Sequence, residues 1–278
     1  MPQGISIHIG LNQVDADHYG GWSGQLRACE ADAGDMARIA ASRDFETTTI
    51  LTDDATADAV TSAITDAAGK LESGDELFLT YSGHGGQVPD TNGDEQDQQD
   101  ETWVLYDRQL VDDELYDLWS QFAAGTRILV FSDSCHSGSV TRAFYVASMP
   151  HVVAAAMTDT DEVRPKTLPT DVAERTYEQH KKLYDDIQKS HKNGEKAEVD
   201  ASVILISGCQ DNQFSMDGDR NGLFTQQVLA VWDDGKWTGS HPSFHKAVAA
   251  KMPPTQSPNY SPVGTKDADF EHQTPLTI

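Results

Sequence analysis

Five short apolar runs constrain this chain more than any other feature: Gly4–Gly10 (GISIHIG), Thr47–Leu51 (TTTIL), Glu76–Gly83 (ELFLTYSG), Arg127–Asp133 (RILVFSD) and Ser202–Gly208 (SVILISG). They are continuous rather than alternating, so each reads as a strand that must be covered on both faces. Helical patterns lie between them. Leu26, Cys29, Ala33, Met36 and Ala40 share one helical face, and Thr56 heads a second helix with Val60, Ile64, Ala67 and Leu71 on one side. Further helices are expected at 222–232 and 243–252. Alternating strands and helices predict an α/β sandwich, a mostly parallel central sheet with helices on both faces. In such sheets the chemistry gathers outside the carboxyl ends of the strands. Two of those ends carry unusual loops, SGHGG at 82–86 and SDSCHSG at 132–138.

The rest of the chain is less regular. Residues 158–199 concentrate basic side chains with little apolar periodicity and read as an exposed insert. DTNGDEQDQQDE at 90–101 is acidic, and the Pro-, Ser- and Thr-rich tail after Pro253 reads as loop. The formal net charge of −25 makes nucleic acid and anionic membranes poor partners. No run is long enough for a membrane span. The opening MPQGISIHIGLNQ lacks the pattern of a secretory leader, and three cysteines (Cys29, Cys135, Cys209) make no disulfide framework, so a cytoplasmic location is expected.

Chemistry points to Cys135. A thiol attacks as thiolate, and an imidazole can take its proton. His136 is its sequence neighbour, but adjacent loop residues usually point apart. His84, between Gly83 and Gly85–Gly86, ends a different strand and meets Cys135 if those strands are neighbours. The glycines then let a substrate backbone approach and leave N–H groups to face it. Cys29, on an apolar helix face, and Cys209 read as buried structural thiols. A redox metal site built on Cys135 and His136 lacks a second close ligand pair.

YSGHGGQ followed about fifty residues later by SDSCHSG resembles the metacaspase branch of the caspase-like cysteine peptidases, especially its prokaryotic members, and that separation suits caspases. GLNQVDADHYGGWSGQLRACEADA, DETWVLYD, VDDEL and LISGCQDNQ carry the likeness along most of the chain. The resemblance implies a caspase-like three-layer sandwich as one domain over 1–278. About 1–157 would hold the dyad, about 158–200 the basic insert, and about 201–278 a smaller part. It implies Cys135 as nucleophile, His84 as general base, and the N–H groups of Cys135 and Gly85 as oxyanion hole. It further implies cleavage after Arg or Lys, with Asp32 and Asp133 in the specificity pocket, Asp211 at its rim, and Ser207 and Gly208 near the edge that pairs with substrate. Physically, a cationic side chain entering a partly closed pocket requires a carboxylate, and two match a guanidinium better than one. Asp133 as a strand-end cap and Asp32 as a solvated helix residue are the competing readings. Protein or peptide substrates and a monomer are expected. A clostripain- or gingipain-like peptidase and an inactive scaffold of the same fold are the alternatives.

Members of that family are often calcium-activated through aspartates, which would here be Asp112 and Asp113 with Asp97 or Asp100. Arg142 stands where the family has an acid, which weakens that expectation. Residues 90–101 and the DGDRNG stretch at 217–222 partly imitate calcium loops, but Glu95 replaces the glycine in the first and Val228 the closing glutamate in the second, so both read as turns. A peptidase specific for basic residues that carries a basic insert can cut itself, and the expected interval is Arg164–Lys196.

Overall fold

The computed structural model describes residues 2–93, 95, 97–135, 164–191, 194, 197–209 and 215–278. His136, Arg142, Asp211, Asp94, Lys192 and Lys196 lie outside the described residues.

Six strands form the main sheet: β1 (Gly4–Gly10), β2 (Glu46–Leu51), β3 (Glu76–Ser82), β7 (Arg127–Asp133), β9 (Ser202–Ser207) and β11 (Asn259–Gly264). Their order is β11-β9-β7-β3-β1-β2. All pair in parallel except β11, which runs antiparallel beside β9. Residues alternate between the two faces, which explains why the runs are apolar throughout. Ile7, Leu77, Leu79, Ile128 and Val130 pack on one side with Val60 and Ile64 of α2 (Ala57–Ala68) and Leu118 of α3 (Asp112–Trp119). Phe78, Leu129, Phe131 and Ile206 pack on the other with Met36 of α1 (Cys29–Ala41). That second layer also holds Phe224 and Val228 of Leu223–Trp232, Phe244 of His241–Ala249, and Phe270 of Ala268–His272. A smaller antiparallel sheet joins β4 (Gly85–Pro89), β5 (Gln99–Val104) and β6 (Gln109–Val111), and a two-residue pair joins β8 (Arg164–Pro165) to β10 (Met216–Asp217). No helix among the described residues is long and apolar enough to cross a membrane.

Two regions differ from expectation. The tail after Pro253 supplies β11, a sheet strand. Pro262 sits in it because an edge strand needs no outward N–H donor. The second region is the supposed exposed insert. Thr170–Ser190 is a helix, α4, kinked at His180 and burying Val172, Thr176, Tyr177, Tyr184 and Gln188. The Tyr184 hydroxyl accepts the Gln109 N–H at 3.2 Å and bonds to His18 at 2.9 Å, while Gln188 donates to the Pro89 carbonyl at 3.0 Å. Charged residues hide this face from a reading of mean polarity. The remaining helices are α5 (Leu223–Trp232), α6 (His241–Ala249) and α7 (Ala268–His272).

If α4 is part of the packed body, Tyr184→Ala should cost about 3 kcal/mol of unfolding free energy. Leu183→Ala, at the exposed neighbour, should cost under about 0.5 kcal/mol. Urea unfolding of the two variants decides; equal small losses would mean a loosely attached helix.

Candidate active site

The site grows from the register of two adjacent strands. β3 and β7 pair so that Ser82 faces Asp133. Two residues further along each chain stand His84 and Cys135, the equivalent positions at neighbouring tips. Gly85 is obligatory between them, because a Cβ there would collide with the Cys135 backbone carbonyl.

His84 is buried, with Trp22 tilted against its ring at 4.7 Å. Its Nε2 lies 2.8 Å from the Gly24 carbonyl. A carbonyl only accepts, so Nε2 carries the hydrogen and Nδ1 is the basic nitrogen. Burial pushes its pKa down to about 4, so the imidazole is neutral at physiological pH, and the ring also faces the Thr167 backbone. The Cys135 thiol is fully buried, and burial drives its pKa well up, reinforced by the neighbouring Cys209 thiol. Its sulfur accepts the Ser215 N–H and its S–H faces the Ser215 carbonyl at 3.6 Å. Among the described residues no hydrogen bond links His84 to Cys135, so the pair is neutral and the thiol is turned aside.

Residues 164–168 of the same chain fill the cleft between them. The Lys166 N–H donates to the Ser215 carbonyl at 2.8 Å, and β8 continues this pairing along β10, with Pro165 opposite Met216 and Arg164 opposite Asp217. The Lys166 carbonyl accepts two N–H groups, from Gly85 and from Cys135, both at 3.1 Å. Two N–H donors converging on one carbonyl oxygen form the arrangement that stabilises an oxyanion. Beyond it the Leu168 N–H donates to the Gly85 carbonyl at 2.7 Å.

The Lys166 side chain is entirely buried. Its ammonium lies 3.1 Å from Asp32 and 3.1 Å from Asp133, and donates to the Ser82 hydroxyl at 2.9 Å. Burial alone would lower the lysine pKa; Asp133, Cys29, Asp32 and Asp217 outweigh it and hold the pKa well above the ordinary value. Asp32, from the first turn of α1, also accepts Ser82 Oγ–H at 2.7 Å, Asn221 Nδ2–H at 3.0 Å and the Gly222 N–H at 3.0 Å. Burial raises its pKa to about 6, against the pull of Lys166. Asp133 accepts the Ser215 hydroxyl, the Thr225 hydroxyl at 2.9 Å and the Thr225 N–H at 3.3 Å.

Of the residues singled out in the sequence, the structure thus brings Asp32, Asp133, Gly85, Cys135 and His84 around one segment. Asp211 lies outside the described residues. Ser207 stands apart: its hydroxyl donates to the Cys209 carbonyl at 3.1 Å, and it lines a separate cavity of about 240 Å³ with Ser132 and Asn259. Residues 164–166 of the chain pair with Ser215–Asp217, beyond the end of β9. Sequence reasoning missed Ser82, Ser215, Asn221, Gly222 and Thr225. Only Ser82, immediately before the glycine loop, carried a positional hint. The DGDRNG stretch is a turn whose Asn221 and Gly222 serve Asp32, and its Asp217 accepts the Arg27 and Ala28 N–H groups.

The described residues of the acidic segment lead into β5 and meet α3 through Asn92 and Asp113. Asp90 caps its own turn, accepting the Asn92, Gly93 and Glu95 N–H groups. Carboxylate oxygens of Glu95, Glu101 and Asp112 lie within 4.8 Å of one another. Asp113 is instead buried and accepts Asn92 Nδ2–H at 2.9 Å, while Asp100 is buried at the alternate position to Glu101 on β5, and Asp97 accepts the Gln99 N–H. Of Asp112, Asp113 and Asp100, only Asp112 therefore belongs to the cluster.

A parallel-centred sandwich with histidine and cysteine at adjacent strand tips defines a caspase-like protein. The caspase domain matches residues 14–269, and the chain belongs to the caspase-domain peptidase family. Metacaspase-1 of Mycosarcoma maydis is 30% identical over 247 residues, covering 79% of this chain and 59% of that protein. Metacaspase-1 of Schizosaccharomyces pombe is 28% identical over 251 residues, covering 79% and 56%. The chain spans a little over half the length of these curated relatives. A solved protein of Geobacter sulfurreducens is 52% identical with a TM-score of 0.89, covering 99% of both chains. Caspase-1 of Spodoptera frugiperda shares the fold at a TM-score of 0.53 and 10% identity, over 95% of this chain and 86% of that one.

Gly222 offers a direct test of the pocket. A Cβ there would strike the Lys166 ammonium and the Asp133 carboxylate. Gly222→Ala should therefore expel the lysine. In a Cys135→Ala background, trypsin cleavage after Lys166 should be resisted while Gly222 is kept and become rapid once Gly222→Ala is added. Equal resistance would place the protection elsewhere.

Proposed function

We propose that this chain is a cysteine endopeptidase that cleaves after Lys or Arg, and that its own Lys166–Thr167 bond is its first substrate. One observation carries the reading: Lys166 lies along the cleft as a substrate would, carbonyl between two N–H donors and ammonium between two carboxylates.

The chemistry follows from the positions. His84 Nδ1 takes the thiol proton as Cys135 Sγ leaves Ser215 and attacks the Lys166 carbonyl carbon. The developing oxyanion is held by the Gly85 and Cys135 N–H groups. His84, facing the Thr167 backbone, returns the proton to the departing nitrogen, and the C–N bond breaks to leave a thioester. Water, deprotonated by the same imidazole, then releases the new carboxylate. The interval Arg164–Lys196 named from sequence contains this bond. For other substrates the vacated pocket takes a basic side chain, and a guanidinium can fork across Asp32 and Asp133. With a lysine in place Asp32 gains its proton below about pH 6, so the occupied pocket then loses one of its two charges.

Intact mass of freshly purified protein should reveal fragments 1–166 and 167–278, absent from Cys135→Ala and from Lys166→Ala. On fluorogenic peptides, Arg and Lys before the cut should be accepted and Asp refused, with KM for Lys rising as pH falls through 6. An uncut, inactive wild type would favour a binding scaffold; hydrolysis after Asp would overturn the pocket.

For a cofactor we infer calcium as activator rather than participant. The carboxylates of Glu95, Glu101 and Asp112 are hard oxygen donors of the kind calcium takes. Chelation should slow self-cleavage at least about tenfold, a shift of ~1.4 kcal/mol, and Asp112→Asn should make the rate indifferent to chelator. Equal rates with and without chelator in the wild type would remove the cation.

A further inference from the structure

The second thiol at the site has no part in the chemistry above. Cys135 follows β7 and Cys209 follows β9, and those strands are neighbours in register, Ser132 opposite Ser207. The Gly208 N–H donates to the Ser132 carbonyl at 2.7 Å, which carries the pairing past the strand ends. The Cys209 thiol then donates to the Ser134 carbonyl at 3.3 Å, one residue from the nucleophile. The Cys209 thiol lies close enough to Cys135 to help hold its thiol in the neutral form, and both are free and buried. Cys29, the remaining thiol, belongs to the first turn of α1; its backbone N–H donates to Asn12 Oδ1, and its side chain faces Ser82 and Lys166 rather than Cys135.

We propose that Cys209 is a resolving thiol, and that a hydroperoxide converts Cys135 and Cys209 into a reversible disulfide that switches the peptidase off. This rests on Cys135 being the nucleophile. The reaction balances without other reagents. The Cys135 thiolate, its proton taken by His84, attacks the outer peroxide oxygen. The O–O bond breaks, the inner oxygen leaves as alcohol or water with that proton, and Cys135 becomes a sulfenic acid. The Cys209 sulfur then attacks the Cys135 sulfur, the S–O bond breaks, and the hydroxyl leaves as water with the Cys209 proton. Two thiols are oxidised and one peroxide is reduced. A thiol reductant restores both by exchange. The device acts on the opened enzyme, since residues 164–168 cover the sulfur in the uncut chain. Without a partner thiol, continued oxidation of Cys135 would run on to the irreversible sulfinic acid.

The test uses self-cleaved protein treated with a small excess of hydrogen peroxide, then mapped by mass spectrometry of unreduced peptides, with activity read before and after dithiothreitol. The wild type should lose two hydrogens in a Cys135–Cys209 cross-linked peptide, lose its activity, and recover it with reductant. Cys29→Ala should behave identically. Cys209→Ala and Cys209→Ser, each normalised to its own starting activity, should gain oxygen at Cys135 and fail to recover. Sulfinic acid at Cys135 in the wild type without cross-link, or a cross-link to Cys29, would overturn the proposal. A Cys135→Ala variant as active as the wild type would instead overturn the nucleophile, a separate result from the presence or absence of the cross-link.

Discussion

The ammonium of Lys166 between Asp32 and Asp133 organises everything around it. Taking an amine and two carboxylates out of water costs several kcal/mol each, and the cluster persists because every group is matched. The ammonium has three acceptors, Asp32, Asp133 and Ser82, for its three donors. Each carboxylate is further tied by hydroxyl, amide or N–H groups from the loop before α5, the start of α5, or Ser82 and Ser215. Remove the cation and two buried carboxylates face each other without compensation; even with it in place, burial, and after it the neighbouring Asp133, keep Asp32 high for an aspartate. The two carboxylates demand a positive charge between them for a reason of self-energy.

The sheet supplies the convergence. β3 and β7 lie side by side in strict register, so their tips offer His84 and Cys135 at equivalent heights without any long loop having to find the other. α1 starts immediately behind them, its first N–H groups capped by Asn12 and Asp217, and so presents Asp32 to the same spot. Glycine enters where two backbones or charges must come close: at 85 for the Cys135 carbonyl, at 222 for the ammonium.

The central strands and the cover helices were legible because a doubly covered strand is apolar along its whole length, a pattern that needs no partner to be seen. β11 was not, since an edge strand carrying Pro262 and polar neighbours has the composition of a loop. The meeting of His84 and Cys135 at neighbouring tips was legible because a histidine among glycines and a cysteine among polar residues make poor core. The partners of Asp32 and Asp133 were hidden for the opposite reason. Ser82, Ser215, Asn221 and Thr225 are ordinary turn and strand-end residues, and only the three-dimensional meeting of four segments gives them a role. Lys166 was the least visible of all. A lysine in a basic stretch reads as solvated, and its complete burial depends on carboxylates far away in sequence.

The two sides of the inserted segment are held by unlike forces. Before the Lys166–Thr167 bond, attachment is chiefly charge, with a two-residue pairing to Met216 and Asp217 beside it. After the bond, attachment is apolar: Leu168 is buried in the main core, and α4 follows at once with Val172, Tyr177 and Tyr184 tucked in. Hydrolysis changes the two unequally. It would leave a new carboxylate on Lys166 at the Gly85 and Cys135 N–H groups, with the ammonium still between Asp32 and Asp133 but no longer tethered to residue 167. It does nothing to the buried area under α4, whose hold scales with apolar surface and not with charge. Cutting the bond would therefore not by itself clear the cleft. After such a cut the half that precedes it would be held by charge and a two-residue pairing alone, while the half that follows would stay until the helix lifts, so the covalent event and the opening of the site would be two steps governed by different physics.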